Sequence, residues 1–167
     1  MPKNGAHEVT RPTKPKLYRP KPVAARALAH NLHQGMKIGF AQINPTVGDL
    51  RGNCELITRA YERLAAAGAE LVLTPELAIT GYPPQDLVLK SRFVPENLEL
   101  LAKLHTHVGD AALLVGFVDR NEGRGKPFRN AAALLERGKP IRKTYKSLLP
   151  TYDVFDEERY FQPAERV

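Results

Sequence analysis

Apolar side chains recur along this chain in two rhythms, and the change from one to the other marks its elements. Leu50, Cys54, Ile57, Tyr61 and Leu64 follow one another at intervals of four, three, four and three, the spacing that puts residues on one helical face. A helix is therefore predicted over residues 51–67, with Gly68 as its stop. Short apolar runs flank it. Ile38 to Ile43 reads as a first strand closed by Asn44-Pro45, and Ala69 to Thr74 as a second leading into Pro75-Glu76. Beyond a Gly/Pro-rich loop at 80–84, Pro95 suits the first turn of a helix running to His107. Ala111 to Val118 is a further apolar strand. Asn130 to Glu136 resumes the sheet after a charged loop from Asp119 to Gly125, and Ile141 to Tyr145 follows the turn Gly138-Lys139-Pro140.

Strand, helix, strand, helix, strand, strand is the order of an α/β layered fold. Connections through helices imply parallel neighbours, and the segments between 112 and 145 suit an antiparallel pair. There is no internal repeat and no Gly-x-Gly-x-x-Gly or Walker A run. The final stretch, Gln162 to Val167, carries no capping element, so the chain is expected to be the front part of a larger fold.

Residues 1–35 follow neither rhythm. Prolines at positions 2, 12, 15, 20 and 22 interrupt them, and the segment reads as a basic, Pro-rich, disordered tail. A short alanine-rich helix is possible only from Val23 to His33, and the folded part is expected to begin at Met36. A start codon placed too far upstream would give this arrangement. A basic targeting or nucleic-acid-binding arm is the alternative.

Charge supports that division. The chain carries +7 overall, but residues 1–35 account for +6 and the remaining 132 residues for +1. The basicity therefore belongs to the tail, and nucleic acid is not expected to be a partner of the folded part. At 167 residues, 43% apolar and 26% charged, the composition is that of one ordinary globular domain. No run approaches the ~18–20 apolar residues of a membrane span. No apolar segment precedes a cleavage site near the N-terminus, and a cytoplasmic protein is expected.

Candidate chemistry starts with Glu76, at the end of a buried strand and before a Gly/Pro-rich loop, where α/β sheets place functional side chains. Partly desolvated there, a carboxylate can act as a general base. Lys146 follows an apolar strand and precedes Ser147-Leu-Leu-Pro150, so its ammonium can stabilise a developing oxyanion. Lys139, Arg142 and Lys143 compete with it, and spacing alone gives Lys146 no advantage over Lys143. The single cysteine, Cys54, excludes an internal disulfide and a thiolate-rich zinc site. Its place on the helical stripe marks it as a small buried hydrophobe rather than a nucleophile. His105 and His107 fall on different helical faces, and no His/Cys/Asp/Glu spacing resembles a metal site.

Three motifs carry a resemblance. The run from Ile38 to Asn53, IGFAQINPTVGDLRGN, resembles the opening of the nitrilase superfamily of carbon-nitrogen hydrolases, in the form found in glutaminase domains of glutamine-dependent NAD synthetases. Thr74 to Leu87, TPELAITGYPPQDL, is similar to that family's catalytic-glutamate motif, and Lys146 to Phe161, KSLLPTYDVFDEERYF, to its catalytic-lysine motif. The three occur in the family's order and cover Met36 to the end.

The resemblance implies the first half of a nitrilase-type α-β-β-α sandwich, incomplete at the C-terminus, with a truncated glutaminase domain over 36–167. One sheet face and one edge would lack cover, which predicts association or poor solubility. It also implies Glu-Lys-Cys amide hydrolysis. Glu76 would be the base that deprotonates the cysteine and passes the proton to ammonia, and Lys146 would hold the oxyanion. Tyr82 and Phe155 match residues lining the glutamine pocket. Asp156, Glu157 and Arg159 are expected to order that loop through charge pairs, with Glu157 within reach of the site. The family's nucleophilic cysteine lies beyond Lys146 and is not reached, so the chain alone is expected to be inactive.

The resemblance gives this chain no cofactor of its own. ATP and magnesium belong to the synthetase domain, which amidates nicotinic acid adenine dinucleotide and whose Ser-Gly-Gly-x-Asp-Ser loop is absent here. The implied partners are glutamine, the missing half-domain and synthetase domain or a second polypeptide supplying them, and further copies in a homo-oligomeric full-length enzyme. Gene truncation, a split enzyme and a non-catalytic remnant each account for the length. Another amidase or N-carbamoyl hydrolase, and an interaction module with a nucleic-acid-binding tail, are the rival functions.

Overall fold

A computed structural model describes residues 35–165; the expectations for residues 1–34 lie outside it. The chain runs β1 (Ile38–Phe40), α1 (Leu50–Ala66), β2 (Leu71–Leu73), a 3-10 turn (Gln85–Leu89), α2 (Phe93–His107), β3 (Ala112–Arg120), β4 (Phe128–Leu135), β5 (Arg142–Tyr145) and a second 3-10 turn (Glu157–Arg159). The strands form one open sheet in sequence order. β1, β2 and β3 are parallel, with α1 and α2 as their crossovers, while β3–β4 and β4–β5 are antiparallel. An open mixed sheet with helices on one face is the α/β half-sandwich expected from the sequence.

Strand alternation divides the sheet. Val72, Leu113, Val115, Phe117, Ala131, Ala133 and Leu135 are buried and pack with Ile57, Ala60, Tyr61, Leu101 and Leu104 of the helices. Each large apolar side chain so buried contributes roughly 1.5–3 kcal/mol. The predicted stripe on α1 lies where expected: Leu50, Cys54, Ile57 and Tyr61 are buried. Tyr61 adds a polar anchor, its hydroxyl donating to Ala111 O and accepting from Gly109 N, both at 2.7 Å. The other sheet face is apolar yet uncovered. Ile38 and Phe40 remain 45% and 66% exposed, and Leu71, Leu73, Leu114, Ala132 and Leu134 beside them are half-buried.

Most strand and helix boundaries shift by one to three residues from the sequence reading, and two of the shifts have a clear cause. β1 ends at Phe40 rather than Ile43, because Gln42 N and Ile43 N turn back to Phe40 O and Ala41 O and leave the ladder. β3 runs through Asp119 and Arg120, residues placed above in a charged loop. Asp119 stays in the strand because its carboxylate, 4% exposed, is held by Lys143 and the Tyr145 hydroxyl.

A second cluster matters for position. Leu77, Val88, Val94, Val118, Leu149 and Phe161 are buried together. Leu77 follows Glu76, Leu149 lies three residues beyond Lys146, and Phe161 lies four beyond Glu157. The segments bearing the three charged groups thus share one apolar anchor.

Candidate active site

Glu76 sits where the chain leaves β2 and turns sharply over β3. Leu77 takes up the turn with a left-handed backbone, φ 49°, a conformation costing a non-glycine residue roughly 1–2 kcal/mol. Complete burial of the Leu77 side chain offsets a cost of that size. Below the turn lies Gly116, and a Cβ there would meet Leu77 N at 2.4 Å and Pro75 O at 2.7 Å. Only glycine lets the strand approach the turn so closely. Gly116 O accepts from Ile79 N at 3.1 Å, and Gly116 N donates to Thr74 Oγ1 at 3.2 Å. Farther along, Asn53 of α1 ties the turn down: its Nδ2 donates to Thr46 O at 2.8 Å and Ile79 O at 3.0 Å. Gly81, φ 74°, packs against the Val47 backbone and sends the chain on to Tyr82.

Lys146 extends from the end of β5 and reaches Glu76 Oε1 with Nζ at 2.8 Å. The same ammonium donates to Glu157 at 3.1 Å. Lys143, three residues earlier, projects to the opposite face and pairs with buried Asp119 at 2.9 Å. The two lysines that spacing could not separate therefore have different partners: a strand-anchoring carboxylate for Lys143, and Glu76 for Lys146.

Glu157 is the residue the sequence reading underweighted. Its carboxylate is 4% exposed and accepts from Lys146, from the Tyr82 hydroxyl at 2.8 Å and from Asn130 Nδ2 at 3.4 Å. It thus joins the site itself, whereas Arg159 stands 3.8 Å from exposed Asp86. Its burial marks it out, but in the sequence it lies in the acidic run Asp156-Glu157-Glu158, expected above to order the loop through charge pairs. Tyr82 is half-buried, with its ring 6.3 Å from that of Phe155. These two predicted pocket residues come together beside Glu157, in a cavity that Glu76 and Lys146 do not line.

Electrostatics follow from the contacts. Burial disfavours the Lys146 ammonium, but the hydrogen bonds and charges of Glu76 and Glu157 outweigh it and hold its pKa above the ordinary lysine value. The Tyr82 phenol is pushed well above the usual tyrosine range by burial, by its bond to Glu157 and by both carboxylates, so it remains a hydrogen-bond donor. Cys54, the chain's one thiol, lies in α1 on the helix side of the sheet. Burial raises its pKa to about 11, with Lys103 pulling weakly the other way. It cannot meet Glu76 across the sheet.

The site opens into a cavity of about 330 Å³ on the uncovered face, lined by Glu76, Gly116, Asn130 and Lys146 among others. A second cavity of about 280 Å³ lies against Tyr82, Phe155 and Glu157. Among the described residues no group of three or more His, Cys, Asp or Glu is placed to hold a metal ion, and no helix is long and apolar enough to cross a membrane.

A carboxylate and an ammonium in contact, held over a cavity by a buried second carboxylate, suit proton transfer and stabilisation of an anionic intermediate. Residues 37–167 match the carbon-nitrogen hydrolase family. The chain belongs to that family. A glutamine-dependent NAD(+) synthetase from a Synechocystis strain is 46% identical over 134 residues, 77% of this chain and 24% of that protein. The solved glutamine-dependent NAD+ synthetase of Acinetobacter baumannii superimposes with a TM-score of 0.72 at 32% identity, over 78% of this chain and 24% of that one. A mutant of an amidase from Nesterenkonia sp. AN1 superimposes with a TM-score of 0.65 at 27% identity, over 78% of this chain and 49% of its own, and carries the acetamide moiety of fluoroacetamide on its active-site cysteine. This chain spans about a quarter of the length of the synthetases it matches.

Proposed function

We propose that this chain supplies the glutamate–lysine part of an amide-hydrolysing site that releases ammonia from glutamine for NAD synthesis. The observation carrying the reading is the contact of Glu76 with Lys146 at 2.8 Å, backed by buried Glu157. In this chemistry Glu76 takes the proton of a cysteine thiol, and the sulfur attacks the side-chain amide carbon. Lys146 steadies the resulting oxyanion. The carbon–nitrogen bond then breaks, the proton held by Glu76 goes to the departing ammonia, and a glutamyl thioester remains. Water, deprotonated by Glu76, hydrolyses it to glutamate. Tyr82 and Phe155 form the wall against which the glutamine side chain lies.

The thiol comes from a polypeptide segment other than residues 1–167, since Cys54 lies across the sheet and protonated. That segment, completing the domain over 36–167, also covers the apolar face around Phe40. ATP and magnesium would serve the synthetase domain of such an enzyme, apart from the hydrolase-family residues 37–167. The likeness to glutamine-dependent synthetases supports glutamine over other amides, and the Nesterenkonia amidase supports a cysteine nucleophile.

A chimera tests the reading: this chain's residues replace the matching segment of the Synechocystis synthetase. Glutamine should then support NAD formation with ammonia release. If the chimera makes NAD from added ammonia but not from glutamine, the glutaminase reading fails.

A further inference from the structure

Resting on the reading that Glu76 and Lys146 are the working pair, we propose that Asn130 is a positioning residue, a neutral donor shared by Glu76 and Glu157 that sets the two carboxylates around Lys146. Asn130 Nδ2 lies 2.5 Å from Glu76 Oε1 and 3.4 Å from Glu157 Oε2. Lys146 Nζ reaches the same two side chains at 2.8 and 3.1 Å. Two donors and two carboxylates therefore close a ring. Asn130 also grips Lys146 by its backbone, for Asn130 O accepts from Lys146 N at 2.9 Å. One residue thus fixes both where the lysine leaves the sheet and what its ammonium meets.

The position is rigid. Asn130 lies within β4, opposite Val118 of β3, and is 4% exposed. An amide suits the place for a chemical reason. Its nitrogen carries two hydrogens, one for each carboxylate, and brings no charge. A second cation would compete with Lys146 for Glu76, and an apolar side chain would leave two carboxylates facing each other across a single ammonium. An aspartate would add a third carboxylate at the same distance.

The test is NMR on the full 167-residue chain, following the Asn130 side-chain amide protons and the Lys146 ammonium titration, so it is independent of turnover and of the glutaminase reading. Glu76→Gln should shift one Asn130 amide proton and Glu157→Gln the other. The groups facing the ammonium are Glu76 from the turn after β2 and Glu157 from the second 3-10 turn, with the Tyr82 hydroxyl behind the latter. Without the Asn130 amide to hold them in place the carboxylates swing away from the ammonium, so Asn130→Ala should lower the proton affinity of Lys146 about threefold or more, while Asn130→Asp, by adding a charge at the same distance, should raise it by a similar factor. A packing role would give no such opposition of sign. Should Asn130→Ala lose its dispersed spectrum, the separate responses of the two Asn130 amide protons to Glu76→Gln and Glu157→Gln decide. A folded Asn130→Asp chain with unchanged Lys146 titration, or Asn130 amide protons indifferent to both glutamate substitutions, overturns the proposal.

Discussion

Alanine at Gly116 would push one methyl group into space held by the backbone of the Glu76 turn. The new Cβ would lie 2.4 Å from Leu77 N, 2.7 Å from Pro75 O and 2.9 Å from Glu76 C, whereas ordinary contacts sit near 3.5–4 Å. About 1 Å of movement is needed to relieve this. β3 is hydrogen-bonded on both sides, so the turn is the part that yields. Its displacement weakens the Ile79 N to Gly116 O bond and carries Glu76 from 2.8 Å toward the limit of its pairing with Lys146. Overpacking of this kind costs roughly 1–3 kcal/mol. Urea unfolding of the full chain, followed by far-ultraviolet circular dichroism, should show a midpoint lower by roughly 0.5–2 M. Gly123→Ala is the control, because its Cβ meets only the Asn121 side chain, at 3.4 Å, and its cost should stay within about 0.5 kcal/mol. Equal midpoints for the two variants would refute the close-approach reasoning.

The native Cys54 thiol, with its pKa raised from 9.0 to about 11, should react with a disulfide reagent near pH 8 roughly a hundredfold more slowly than in urea; equal rates would contradict its burial. Because its folded value is the higher one, its contribution to stability is complete below pH 9 and declines as pH rises toward 11, which a urea series across that range reads directly. Asn53→Ala strands Thr46 N, Thr46 O and Ile79 O and should cost roughly 2–4 kcal/mol in the same unfolding assay; a loss below about 0.5 kcal/mol would mean the clamp is unimportant.

Much of the fold was legible in local pattern, and what escaped depended on distant partners. The α1 stripe, the parallel crossovers and the β3–β4 hairpin follow from spacing alone, since each needs only its own neighbours. The strand character of Asp119 was hidden because its neutralising Lys143 lies 24 residues on. The resemblance put Glu157 within reach of the site, but its central place among the contacts was hidden for the same reason, as its Tyr82 partner is 75 residues away. Glu76 was marked by its place at a strand end, whereas the choice of Lys146 over Lys143 required the resemblance at first. Strand parity already put those lysines on opposite faces, but only the sheet's packing shows which face holds Glu76.

The most direct measurement is glutamine-supported turnover in the Synechocystis chimera carrying Glu76→Gln, Lys146→Ala or Lys143→Ala, with ammonia-supported NAD formation as the internal control of folding. The first two substitutions should each reduce glutamine use about a hundredfold or more, the scale of losing a general base or an oxyanion donor, while Lys143→Ala should do much less and all three should retain the ammonia reaction. Glutamine turnover within about threefold of the parent chimera in Glu76→Gln or Lys146→Ala, or its collapse in Lys143→Ala alone, would contradict the assignment of these residues.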